Sequence, residues 1–157
     1  MSEYLTIATL VGAGANAGVF FSFSTFAMSG LKRLAPSAGA AAMQEINREA
    51  PKAPLMSLFF GTAILSIALI VTEAGNLSQV AARYQVAAAA LFLVGVILLT
   101  GMYHVPRNDK LDRLDPESSQ GQRYWEIYRH QWTRMNHVRT IAPAVAAVLL
   151  AISLVVG

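Results

Sequence analysis

The run from Tyr4 to Leu31 contains no charged residue over 28 positions. A helix needs about 20 mainly apolar residues to cross the hydrocarbon core of a bilayer, so this run is long enough to span a membrane. A cleaved leader would begin with basic residues and have a shorter apolar core. Here the first Lys is Lys32, so we interpret residues 4–31 as a membrane span.

Three more apolar runs predict further spans at residues 55–74, 80–104 and 138–157. Only 13% of the residues are charged and 55% are hydrophobic, whereas a soluble domain has about 25% charged residues. The length allows one compact domain, here a single membrane domain over residues 1–157. The predicted fold is all-α: a four-transmembrane-helix bundle with a short amphipathic helix after the first span and a helical cytoplasmic extension before the fourth.

Prolines refine these boundaries. The amphipathic helix is expected over Ala38 to Ala50 with Ser37 as a cap. Pro106 predicts that the third helix ends or kinks near Val105 and frees carbonyl groups there. Pro143 predicts a kink where the fourth helix enters the membrane.

The basic residues indicate how the spans are oriented. Four spans place residues 32–53 and residues 106–139 on one side, and these segments hold eleven of the twelve Lys and Arg residues. Arg83 alone lies on the other side. The positive-inside rule then places loops 32–53 and 106–137 in the cytoplasm and both termini outside. We expect the protein to be integral to a bacterial inner membrane.

Several functional classes are disfavoured by composition. The absence of Cys rules out a disulfide framework, a thiolate metal site and a thiol nucleophile. Too little soluble surface remains for a nucleic-acid partner. A proton-coupled transporter would need an acidic residue within the membrane, but Glu73 lies at the outer end of its span. Gly14 and Gly18 are spaced for close helix packing, which suggests a homo-oligomer contact.

One helical face carries most of the polar and aromatic candidates. At about 100° per residue, six residues of the fourth helix fall on one face within roughly 100° of arc. These are Trp125, Tyr128, Trp132, Asn136, Arg139 and Pro143. The aromatic rings fit either an interfacial belt or the wall of a pocket, and the pattern does not separate the two. Arg139 fits either a lipid-phosphate anchor or a site residue.

The three histidines differ in position. His104 ends an apolar span beside a helix-breaking proline, where it is either functional or satisfied by a loop. His130 and His137 lie on another side of the fourth helix and fit solvated or headgroup-facing residues. They are about two turns apart, too far to share one ion, so no metal site is predicted.

Several segments in order resemble the anthrone oxygenase-like family. This family comprises small four-helix membrane proteins, many described only as a domain of unknown function. The segments are Ala17–Ser24, Met43–Asn47, Val105–Asn108, Trp125 and Trp132–Thr140, so the resemblance extends over nearly the whole chain. Two positions depart from it: the family usually has Asn at the position of His104 and Leu at that of Arg107.

The resemblance implies oxidation of a flat, hydrophobic anthrone-type substrate to an anthraquinone with dioxygen. Base-assisted carbanion formation at the cytoplasmic end of the bundle would use His104 as the base, with Arg139 and Asn136 as catalytic donors. Substrate-binding residues would be Asn47, Asn108, Trp125, Tyr128, Trp132 and Phe23. No cofactor is predicted and dioxygen is the co-substrate, while a requirement for metal or haem stays open. The partners expected are the lipid bilayer and a small hydrophobic molecule.

Whether the protein is an enzyme is left open by the sequence. The same aromatic face and small-residue first helix would serve a non-catalytic membrane module that binds a hydrophobic ligand, a lipid or a partner protein. The observation that would best separate the two is whether His104, Asn47, Asn108, Asn136 and Arg139 converge on one cavity.

Overall fold

The computed structural model describes residues 2–157, and this part of the chain contains helices and turns but no strand. The α-helices are α1 (Ser2–Ser22), α2 (Met28–Leu31), α3 (Pro36–Glu49), α4 (Ala53–Glu73), α5 (Val80–Phe92), α6 (Val105–Asp112) and α7 (Ser119–Val156). Wider π-helical turns occupy Phe23–Ala27, Leu93–Leu98 and Thr100–His104, and a 3-10 turn occupies Ala74–Asn76. The prediction of an all-α fold is confirmed.

These elements form four long helices, each apolar and long enough to cross a membrane. The first runs over Glu3–Leu31, the second over Ala53–Asn76, the third over Val80–Asp112 and the fourth over Ser119–Val156. The protein is therefore an integral membrane protein. The first helix packs against the second and fourth, and the third also packs against the second and fourth, so the four close into a bundle.

Small residues allow the closest helix approaches. A Cβ added at Gly95 on the third helix would lie 2.4 Å from the Cβ of Ala142 on the fourth. One added at Gly12 on the first helix would lie 2.4 Å from Oγ1 of Thr62 on the second. Gly14 and Gly18, by contrast, are exposed and have no atom within 4 Å of an added Cβ. Packing within the chain therefore uses Gly12 and Gly95, and a contact between copies through Gly14 and Gly18 stays a prediction.

The bundle exposes large apolar side chains and buries polar ones. Phe60, Ile64 and Val71 are more than half exposed, as expected of side chains that face lipid. Several hydroxyl groups are satisfied within their own helix; Thr9, for example, donates to the carbonyl of Leu5 at 2.7 Å. The buried polar and charged residues in the described chain are Thr6, Thr9, Asn16, Gln44, Thr62, Ser66, Glu73, Gln85, His104, Asn136, Arg139 and Ser153.

Helix α3 covers the end of the bundle that carries most of the basic residues. Its buried face includes Ala40, Met43 and Gln44. The Gln44 amide donates to the carbonyls of Leu111 and Leu114, both at 2.8 Å, and so ties α3 to the end of α6. The residue that caps α3 is Ala35, not Ser37, and no side chain bonds to the first turn.

Of the two outcomes expected near Val105, an end to the third helix is contradicted, and a kink stays a prediction. A π-helical turn at Thr100–His104 leads directly into α6, and Pro106 lies in the first turn of that helix. A proline is tolerated there because the first-turn N–H groups have no partner within the helix. The Tyr103 carbonyl accepts a hydrogen bond from the Arg107 side chain at 3.0 Å. Helix α7 likewise continues through Pro143.

Replacing Gly95 by Ala should destabilise the bundle, because the new methyl group collides with Ala142 and the two helices must separate. We expect the free energy of unfolding to fall by about 2 kcal/mol, a typical effect of overpacking. Gly101→Ala on the same helix is the matched control, since an added Cβ there meets nothing within 4 Å. Reversible unfolding in mixed micelles measures both; equal stability of the two variants would contradict the packing argument.

Candidate functional site

Polar side chains from three of the long helices meet inside the bundle near its basic end. His104 is the last residue of the π-helical turn on the third helix, and Asn136 and Arg139 lie one turn apart on α7. His104 and Asn136 are fully buried and Arg139 is 6% exposed. Phe20 and Ser24 approach from the first helix. These residues form what we call the inner cluster: Phe20, Ser24, Thr100, His104, Asn136 and Arg139.

The Asn136 amide links two helices. Its Nδ2 donates to the carbonyl of Phe20 at 2.8 Å and to Oγ of Ser24 at 2.9 Å. Its Oδ1 accepts two hydrogen bonds from Arg139, from Nη2 at 2.7 Å and from Nε at 3.2 Å. Ser24 is also hydrogen-bonded to Thr140 at 3.0 Å. The Asn136 amide therefore donates two hydrogen bonds and accepts two, and these partners determine its orientation.

Arg139 is buried without a carboxylate partner among residues 2–157. Besides Asn136, its guanidinium donates to Oγ1 of Thr100 at 3.2 Å. It also lies over the rings of Phe20 and Trp132, with Cζ at 4.6 Å and 5.1 Å from the ring centroids. All these partners are neutral, so the site retains a positive charge, which is costly in a buried place and complements an anion.

His104 is buried like Arg139, but within the described chain its ring nitrogens form no hydrogen bond of normal geometry. Neither ring nitrogen has a hydrogen bond of normal geometry within residues 2–157, although the Met135 backbone lies close enough to interact with the ring. The ring stands edge-on to Trp132, with centroids 5.1 Å apart and an interplanar angle of 83°. Tyr103 lies on another side at 5.5 Å. Buried polar atoms nearly always have partners, so an unpaired imidazole in this position needs an explanation.

Three aromatic rings of α7 form a stack that leads from the inner cluster towards α3. The Trp125 and Tyr128 centroids are 5.9 Å apart, and those of Tyr128 and Trp132 are 6.3 Å apart, with interplanar angles of 23° and 29°. Asn108 Oδ1 accepts from the hydroxyl of Tyr128 at 2.8 Å and from the indole N–H of Trp132 at 3.1 Å. Asn47 on α3 donates to the Tyr128 hydroxyl at 3.5 Å.

The aromatic stack is closed in this structure. Trp125, Tyr128 and Trp132 are at most 4% exposed and pack with Met28, Ala40, Met43 and Leu111. Phe23, which lies 5.7 Å from Trp132 between centroids, is only partly buried. Access to the inner cluster therefore requires movement of a side chain, and Phe23 is more exposed than the three rings of the stack.

All the site residues expected from sequence lie in these two groups. His104, Asn136 and Arg139 are in the inner cluster, while Asn47, Asn108, Trp125 and Tyr128 lie along the stack; Trp132 contacts both groups. Sequence reasoning missed Ser24 and Thr100, because isolated hydroxyl groups in apolar runs usually bond only to their own helix. Within residues 2–157, no three His, Asp or Glu side chains are grouped so as to hold a metal ion.

A comparison with protein-family models matches residues 55–149, more than half of the chain, to the family described as anthrone oxygenase. The chain belongs to the anthrone oxygenase family. The matched segment contains His104, Asn108, Trp132, Asn136 and Arg139 and excludes the first helix and α3, so it is shorter than the resemblance found by inspection. No curated protein and no solved structure matches the chain significantly. In this family member, the inner cluster is completed by residues of the unmatched first helix, Phe20 and Ser24.

Substituting Asn136 by Leu, which has a similar shape, should destabilise the protein strongly. The change leaves the Arg139 guanidinium without its main acceptor and removes two links to the first helix. Breaking a buried charged network costs about 3 kcal/mol or more, so we expect a loss of that size in the free energy of unfolding.

Gln131→Leu provides the matched control, because it removes an exposed amide from the same helix. Unfolding of both variants in mixed micelles, followed by near-UV circular dichroism, makes the comparison. A loss below 1 kcal/mol for Asn136→Leu would show that the Arg139 charge finds other acceptors at little cost.

Proposed function

We propose that the protein is a membrane oxygenase that uses dioxygen to oxidise an anthrone-type substrate. The observation that carries this proposal is the pairing, inside the bundle, of an imidazole without partners and a guanidinium without a counter-ion, both against the Trp132 ring. The first can accept a proton and the second can stabilise the anion that results. Membership of the anthrone oxygenase family supports oxidation of an anthrone. The role of His104 as the base rests on this chain alone, because the family usually has Asn at that position.

The reaction follows from these two groups. His104 removes a proton from the methylene carbon opposite the substrate carbonyl, leaving a carbanion delocalised over the rings as an enolate. Arg139 holds the enolate oxygen, and Asn136 keeps the guanidinium in place. The enolate gives one electron to dioxygen, and the radical pair combines to form a carbon-bound hydroperoxide after protonation. Loss of water then yields the quinone, so one oxygen atom enters the new carbonyl and the other leaves as water.

In this proposal the chain supplies the proton acceptor and the positive charge, dioxygen is the co-substrate, and no cofactor takes part. The flat substrate would lie against Trp132 after Phe23 moves aside, since Phe23 contacts Trp132 and is only partly buried. Trp125 and Tyr128, with Asn47 and Asn108, would hold the indole of Trp132 and the approaching substrate from the α3 side.

We also propose that the site lies at the cytoplasmic end of the bundle in a bacterial inner membrane, with both termini outside. The support is the charge distribution: eleven of the twelve Lys and Arg residues lie in residues 32–53 and 106–139. Helices α3, α6 and the first part of α7, which belong to these segments, pack together at one end.

The sharpest test replaces His104 by Phe, which keeps an aromatic ring against Trp132 and Tyr103 but removes both nitrogens. Because those nitrogens have no hydrogen bonds to lose, we expect the free energy of unfolding to rise by about 1 kcal/mol. Loss of the base should lower kcat for anthrone-dependent oxygen uptake by roughly 100-fold or more. An oxygen electrode and detection of the quinone by absorbance measure the activity.

His130→Phe is the matched control, since His130 is exposed on the same side of the bundle and outside the inner cluster. It should retain wild-type kcat. If His104→Phe keeps full oxygen uptake, His104 is not the base. If the wild-type protein binds anthrone with no oxygen uptake at all, the protein is a binding module and the oxygenase proposal fails.

A further inference from the structure

A second polar site lies outside the inner cluster, between the basic ends of the first and fourth helices. It is a cavity of about 330 Å³. The side chains that matter for its chemistry are Lys32, directly after the first helix, and Arg129, His130, Thr133, Arg134 and His137 on the fourth. Neither the base nor the guanidinium of the proposed oxygenase site lines it, so its occupant is a separate question.

The cavity is cationic and has no acidic residue in its lining. Arg129 is paired with Glu126, one turn earlier on the same helix. Lys32 and Arg134, by contrast, form no salt bridge within 4 Å in the part of the chain that the structure describes, although the Glu126 carboxylate lies within electrostatic range of Lys32 and His130. Two unpaired cations and two imidazoles around one space are suited to an anion with several acceptor oxygens, and a phosphate group meets that description.

Its position in the bundle favours a lipid as the source of that phosphate. The cavity lies where Lys32 ends the uncharged run of the first helix, and its wall on α7 lies just before the apolar run that starts at Ile141. Apolar side chains in the same stretches are exposed, with Phe26 67% and Val138 43% accessible. A ligand here would have a charged group among cations and apolar chains beside the adjacent helix surfaces. Basic pockets between transmembrane helices are suited to anionic headgroups for this reason.

We propose that this cavity binds the headgroup phosphate of an anionic phospholipid. The phosphodiester lies between Lys32 and Arg134, with Arg129 as a third cation, and its acyl chains follow the exposed apolar faces of the first and fourth helices. The site also adjoins the inner cluster, because Ser24 lines the cavity and accepts a hydrogen bond from Asn136. The binding proposal is nevertheless independent of the oxygenase proposal and is tested without any measurement of activity.

The test compares two double variants that remove equal charge from the same end of the bundle. Lys32→Gln/Arg134→Gln empties the cavity of its unpaired cations, whereas Arg33→Gln/Arg123→Gln removes two exposed cations that do not line it. Full-length protein in a neutral detergent is titrated with dioleoyl-phosphatidylglycerol and, separately, with dioleoyl-phosphatidylcholine. Native mass spectrometry counts the bound lipid and gives its Kd.

We expect wild-type protein to bind one phosphatidylglycerol in preference to phosphatidylcholine. Each cation near an anionic lipid contributes roughly a fivefold change in affinity, so the cavity double variant should weaken phosphatidylglycerol binding by about 30-fold. The control double variant should change it by less than about threefold, since its cations act only at longer range.

Three results would overturn the proposal. Equal affinity of the wild-type protein for the two lipids would show that the cavity does not select negative charge. An equal loss in both double variants would assign binding to the general surface charge. Stabilisation by millimolar inorganic phosphate that requires Lys32 and Arg134 and displaces phosphatidylglycerol would identify a soluble phosphate compound, not a lipid, as the ligand.

Discussion

The contact between the Asn136 amide and the Arg139 guanidinium is the interaction on which the basic end of the bundle depends. The Asn136 oxygen accepts two hydrogen bonds from the buried Arg139 guanidinium, while the Asn136 nitrogen donates to the first helix. One side chain thus joins two helices and takes over part of the solvation that Arg139 would receive from water. A buried cation with only neutral partners is tolerated where a network is this complete, and it leaves a field that favours an anion nearby.

Two π-helical turns bring the remaining partners to this contact. One includes Phe23 and Ser24 on the first helix, and the other ends at His104 on the third. The extra residue in such a turn rotates the following side chains by about 100° relative to a regular helix, and π-helical turns occur frequently at functional sites. Ser24 and His104 lie within these turns, and neither turn interrupts its long helix. The second turn also admits Pro106, because a new α-helix begins immediately after it.

The inner cluster combines two features that stability alone does not require. His104 leaves two buried nitrogens without partners, and Arg139 is buried without a carboxylate. Each costs free energy, because an unpaired polar group or a charge without a counter-ion loses its hydration on burial. A proton acceptor and a positive charge in contact with the same indole are the parts that carbanion chemistry needs, so the cost is explained by the proposed reaction. The basic cavity nearby shows a different arrangement, with exposed cations around an open space.

Much of this architecture follows from the sequence alone. Long apolar runs determined the four helices, because a bilayer leaves the backbone no other partners than its own helix. The helical period placed Trp125, Trp132, Asn136 and Arg139 on one face, and the structure buries all four. Only the tertiary structure decided that Ser24 and Thr100 are neighbours of that face. It also decided that helices approach closely at Gly12 and Gly95 and not at Gly14 and Gly18. The physical reason is that a helix apolar on every side has no pattern to set its rotation, which is decided by packing between helices.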